Sequence, residues 1–116
     1  MTNSILNTVK SGIIDKEYDV FDDELLIWIN AELSTLKQVG VGTKGFVVNG
    51  PDETWEDFIP DNIEARNLAI GYMKIRVRLR FDPPQNSALI KPLEESAQEY
   101  LVRCNYQVDP DTTFDE

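Results

Sequence analysis

Residues Tyr72–Pro84 read Tyr-Met-Lys-Ile-Arg-Val-Arg-Leu-Arg-Phe-Asp-Pro-Pro, and they hold four of the chain's eleven basic residues, Lys74, Arg76, Arg78 and Arg80. Between Lys74 and Phe81 basic and apolar residues alternate, which is the period of a strand. Upstream, Leu68, Tyr72, Ile75 and Leu79 form one helical stripe, and Ala65, Ala69, Met73 and Val77 form its neighbour. No turn signal separates the two patterns, so the spacing predicts one helix from Asp61 or Asn62 to about Phe81. Its length would be about 30 Å. Asp82-Pro83-Pro84 ends it, because proline restricts the residue before it and cannot donate to the hydrogen-bond ladder. On this helix Lys74 and Arg78 fall on the polar side. Arg76 and Arg80 fall within the apolar face. Either they snorkel or pair with Glu24 or Glu32 inside the fold, or they reach a carboxylate on a neighbouring subunit.

The flanking pattern is also helical. Downstream, Asn86 or Ser87 caps a helix reaching about Asn105, with Leu89, Leu93, Ala97, Tyr100, Leu101 and Cys104 as its apolar stripe. Pro92 either kinks this helix or delays its start. Upstream, Ser4–Lys10 reads as a short helix ending near Gly12, followed by a charged connection over 15–24. Asp22 or Asp23 then caps a helix to about Val39. Leu25, Leu26, Ile29, Leu33 and Leu36 share its inner face; Asn30, Ser34, Lys37 and Gln38 share its outer one. Ile27 falls on the polar side and is a candidate subunit contact. Gly40-Val-Gly42 ends the helix. Phe46-Val-Val48 followed by Asn49-Gly50 predicts a small hairpin or protruding loop over 44–55. Thr54 caps one helical turn anchored by Trp55 and Phe58. The fold expected is mainly α, with about four helices and a short β-hairpin or loop between the second and third. Residues 1–107 make its single domain, and 108–116 make an acidic, flexible tail.

Composition narrows the chemistry. The 116-residue chain carries 21 acidic residues against 11 basic ones, for a net charge of −10, with no histidine and one cysteine. That balance opposes ordinary DNA binding, which relies on Lys and Arg neutralising phosphates. It permits an acidic wall past which DNA slides, or carboxylates that mimic DNA. The usual general base near neutral pH is missing, Cys104 sits on an apolar stripe, and no phosphate-binding glycine loop is present. Carboxylates such as Asp109 and Asp111 match no calcium-loop spacing. We therefore expect no enzyme, no cofactor, no metal and no membrane span, and a lone cysteine that fits a reducing cytoplasm.

Several motifs, taken in order, resemble a known family: Asn30…Leu33…Leu36-Lys-Gln38-Val-Gly-Val-Gly42, Gly45-Phe46, Thr54-Trp55-Glu56-Asp57-Phe58, and Tyr72…Lys74…Arg78-Leu79…Phe81-Asp82-Pro83-Pro84. Over about residues 4–105 the chain resembles the tailed-phage head–tail connectors, the small helical adaptor or head-completion proteins of phages and prophages. The resemblance implies a non-catalytic ring, typically dodecameric, beneath the portal protein. Such a ring extends the DNA channel and docks the next connector or tail component. Packaged DNA passes through it without specific binding. It would assemble in the host bacterial cytoplasm and reside at the virion head–tail junction. On that reading Ile27, Lys74, Arg76, Arg78 and Arg80 are candidates for the ring interface. Phe46, Val48, Asn49, Gly50, Tyr106 and Phe114 are candidates for contact with the portal or next component. Trp55, Phe58, Pro83 and Pro84 are structural anchors. The rival reading from another class is an acidic DNA mimic that inhibits a host nucleic-acid-binding protein.

Overall fold

The computed structural model describes residues 4–11, 20–81 and 83–108. Five helices follow one another: α1 (Ile5–Lys10), α2 (Asp22–Gln38), α3 (Trp55–Phe58), α4 (Ile63–Phe81) and α5 (Ile90–Val108), the last preceded by a 3-10 turn at Ser87–Leu89. The predicted end of the first helix near Gly12, the stop residue Asp82 and the tail residues 109–116 lie outside the described residues.

The central element is α4, which packs along α5 over most of its length and also contacts α2 and α1. Its alternating segment is helical to Phe81. A helix turns 100° per residue, so alternate basic residues are dealt to different sides: Arg78 is exposed, Lys74 and Arg76 are half-buried, and Val77 between them is fully buried. The core is formed by Ile5, Leu6 and Val9 of α1, Leu25, Ile29, Leu33 and Leu36 of α2, Ala65, Ala69, Met73 and Val77 of α4, and Ala97 and Cys104 of α5. These are the spacings of amphipathic helices sharing one apolar centre.

The caps follow the sequence closely, with two differences. The side chains of Ser4, Thr54, Asn62 and Asn86 accept hydrogen bonds from Asn7, Asp57, Ala65 and Ala88 backbone N–H groups at 3.0–3.2 Å. The second helix, by contrast, begins after Phe21 without a side-chain cap. Asp22 is instead its first residue and forms an ion pair with the buried Lys10 at 2.8 Å, tying α1 to the start of α2. Pro92 does not kink α5. It occupies the third position of the helix, in the first turn, where no intrahelical donor is required. Leu89 therefore precedes the α-helix and is half-exposed rather than part of its stripe, and α5 runs on past Asn105 to Val108.

Between α2 and α4 the chain forms a loop, and no strand occurs among the described residues. The hairpin half of the expectation fails because Val48 spends its backbone groups elsewhere. Its N–H donates to Asn30 Oδ1 and its carbonyl accepts from Asn30 Nδ2, both at 2.9 Å. One side-chain amide thus takes the place of a partner strand. Lys37 Nζ donates to the Phe46 carbonyl at 3.1 Å, so two residues assigned to the outer face of α2 hold the loop against it. At the far end Ile5 N–H donates to the Glu53 carbonyl at 3.0 Å, within an isolated antiparallel bridge between Ser4 and Thr54.

The loop begins with a Schellman turn. Gly40, at φ 87°, donates to the Lys37 carbonyl, and Val41 donates to the Leu36 carbonyl before burying its side chain. Gly42 is constrained twice over: its φ is 91°, and a Cβ there would meet the Phe58 ring at 2.2 Å. Gly42→Ala is therefore expected to lower unfolding free energy by about 2 kcal/mol or more, from left-handed strain together with overpacking. Urea denaturation followed by circular dichroism measures this, with Gly45→Ala as the control for strain without a clash, since a Cβ at Gly45 meets nothing within 4 Å.

Candidate functional site

The least expected feature of α2 is a carboxylate on its apolar face. Glu32 follows Ile29 by three residues and precedes Leu36 by four, so helical geometry turns it inward, and only 2 % of it is exposed. A buried carboxylate needs partners. They come from one stripe of α4, at residues 72, 76 and 80. Tyr72 Oη donates to Glu32 Oε1 at 2.7 Å. Arg80 Nε donates to Oε2 at 2.9 Å, and Arg76 Nε lies 3.7 Å from the same oxygen. The Arg80 guanidinium also sits over the Trp28 ring, 5.1 Å from its centroid. Burial pushes the Tyr72 hydroxyl well above its ordinary pKa; the hydrogen bond and charge of Glu32 push it further, and Arg76 opposes them.

Of the two arrangements open to Arg76 and Arg80, the single chain contains the internal one, and Glu32 rather than Glu24 is the partner. Glu24 is exposed. Neither arginine is used up: Arg80 is 39 % exposed, and Arg76 Nε is buried with no hydrogen-bond partner. Both border a cleft of about 240 Å3 that opens between α2 and α5, floored by Tyr72, Arg76 and Arg80 and walled by Thr35, Glu94 and Gln98.

The other candidate residues are dispersed. Ile27 is 65 % exposed on the outer face of α2. In the loop, Phe46 is half-buried with its ring centroid 5.2 Å from that of Phe58, and Val48 is buried. Asn49 is exposed, Gly50 is half-buried, and its N–H donates to Glu53 Oε1 at 3.3 Å. The apolar side chain that the loop presents outward is Val47, which the sequence reading passed over. Alternation of Phe46, Val47 and Val48 was the signal that would have found it. Trp55 and Phe58 are fully buried, as anchors require, whereas Pro83 is exposed and Pro84 half-buried. Tyr106 is exposed near the end of α5, and Phe114 lies outside the described residues.

Cys104 is buried against α4, where its thiol donates to the Ala65 carbonyl at 3.3 Å. Burial pushes this thiol from 9.0 up to about 12. Among the described residues no group of three or more His, Cys, Asp or Glu side chains is placed to hold a metal ion, and no helix is long and apolar enough to cross a membrane.

A protein-family model described as phage connector protein matches residues 5–111 of the chain. No curated protein and no solved structure matches it.

Two outcomes follow from the buried groups. Glu32→Ala leaves Tyr72 and two guanidiniums around an empty position. It should destabilise the fold by about 3 kcal/mol, the low end for breaking a buried pair because both arginines reach solvent; chemical denaturation measures it. The raised Cys104 and Tyr72 values mean that the native state keeps protons that the unfolded state loses. Stability should therefore be flat below the unfolded thiol value near 9.0 and fall as pH rises from there towards 12. Cys104→Ala should flatten the first part of that fall in a denaturation series across alkaline pH.

Proposed function

The chain belongs to the phage connector protein family, and on that footing we propose that it is a structural head–tail adaptor. Copies of it form a ring, dodecameric in the virion, beneath the portal protein. The ring prolongs the DNA channel and offers a docking surface to the next connector or tail component. It assembles in the bacterial cytoplasm and ends at the head–tail junction. The observation that carries this reading is the family match, which spans all five helices and the loop.

Physical features of the chain support the finer parts of the proposal. A net charge of −10 suits a channel wall that must not retain DNA, because phosphates are repelled rather than bound. A closed ring needs two different, complementary patches on each subunit. The exposed Ile27 and the outward Lys74 and Arg78 are available for one of them, and Arg76 and Arg80 keep donors free at the cleft. Val47, Asn49 and Gly50 at the loop, with Tyr106 near the end of α5 and Phe114 beyond it, are the candidates for portal or next-component contact. The loop is held by Asn30 and Lys37, so its outward residues are presented in a fixed geometry.

Co-expression with the portal protein of the same phage tests this. A stable complex that co-purifies and contains several copies of the adaptor per portal ring is the expected result. Val47→Asp combined with Tyr106→Ala should reduce recovery without altering the helical circular dichroism spectrum. A chain that never associates with the portal, but displaces DNA from a host protein, would overturn the adaptor reading.

A further inference from the structure

We propose that the cleft between α2 and α5 is a carboxylate-binding socket, filled by an acidic side chain from the 50–61 segment of a second copy of this chain. The proposal rests on the ring reading above and assigns the chemistry of its interface.

The socket has donors to spare. Glu32 can satisfy Tyr72 through one oxygen and Arg80 through the other, at 2.7 and 2.9 Å. Arg76 is left with a loose approach of 3.7 Å to an oxygen already taken, and its buried Nε has no hydrogen-bond partner. A buried donor without an acceptor is costly, so this position favours an additional acceptor. Glu94 lines the same cleft from α5 but forms no ion pair with either arginine in the single chain. The volume, about 240 Å3, lies below the roughly 300–1,000 Å3 of pockets that enclose a small molecule. It suits one inserted side chain. A guanidinium beside a carboxylate gives a charge-assisted, geometrically specific contact.

The position of the complementary charge identifies the occupant. On the α2 wheel Trp28 and Thr35 face the cleft, while Asn30 and Lys37 face the other way and hold the 41–60 loop. Cleft and loop therefore lie on opposite sides of α2. The loop side exposes Asp52, Asp57 and Asp61. A basic socket on one side and a set of carboxylates on the other is the arrangement that propagates head to tail from copy to copy.

Sedimentation of the full chain over a range of concentrations is the test. The wild type should self-associate. The Asp52→Asn/Asp57→Asn/Asp61→Asn variant and, separately, Arg76→Gln should each weaken association about tenfold or more, with unchanged circular dichroism. Arg76→Gln leaves Tyr72 and Arg80 on Glu32, so the fold is kept. Mixing the two variants restores one good interface per pair, and heterodimers without larger species should appear. A wild type that stays monomeric, variants that assemble normally, or a mixture that gives no heterodimer would each overturn the socket. Portal co-purification is independent of these outcomes, so the adaptor reading can survive the socket's failure. If the portal is not bound either, both readings fall.

Discussion

A carboxylate turned towards the apolar side of a helix must be answered by donors, and Glu32 is answered by three groups spread over two turns of α4. Tyr72, Arg76 and Arg80 lie at successive i, i+4 positions, spanning about 12 Å of helix. Their common acceptor fixes the register of α2 against α4. A slide of one turn would leave Glu32 opposite a different set and strand at least one charge. Apolar contacts such as Ile29, Leu33 and Leu36 against Met73 and Val77 supply burial but tolerate repacking. The polar stripe is what admits one arrangement, while its desolvation cost limits how much net stability it adds.

That register has consequences on both sides of α2. On one side it leaves a polar cleft against α5, because the long Tyr72, Arg76 and Arg80 side chains floor the space instead of an apolar seam. On the other, it leaves Asn30 and Lys37 free to hold the connecting loop by its backbone. The loop lies flat against the helix, its inner residues Phe46 and Val48 packed and Val47 outside. Gly40 and Gly42 make the turn into it, and Thr54 starts α3, whose Trp55 and Phe58 close the core from that side. In a protein of the phage connector family such a layout gives a small rigid body with chemically distinct flanks. An assembling subunit needs that property.

Most of the helices could be read from local pattern. Apolar spacing located α2, α4 and the body of α5, and capping residues at Ser4, Thr54, Asn62 and Asn86 marked their starts within a residue or two. Pro92 was harder, since a proline in the first turn and a proline in a kink look alike in sequence; only the true start of α5 at Ile90 separates them. The hairpin expectation failed for a similar reason. Phe46-Val-Val48 and Asn49-Gly50 are good local signals, but an amide eighteen residues earlier takes both backbone groups of Val48. The site was half legible. The two arginines on the apolar face of α4 were visible from the wheel, and Glu32 was one of two carboxylates that could meet them.

The sequence by itself determined the helical class, the order of the elements, the acidic character and the family motifs, because each depends on residues near one another in the chain or on simple totals. Tertiary structure decided which carboxylate meets Arg76 and Arg80, that Lys10 is buried against Asp22, and that a cleft separates α2 from α5. It also decided which side chains of the loop face solvent. Each of these depends on how helices distant in sequence are rotated and shifted against one another. That choice is made by the summed packing of the whole core and by the demand that every buried charge find a partner.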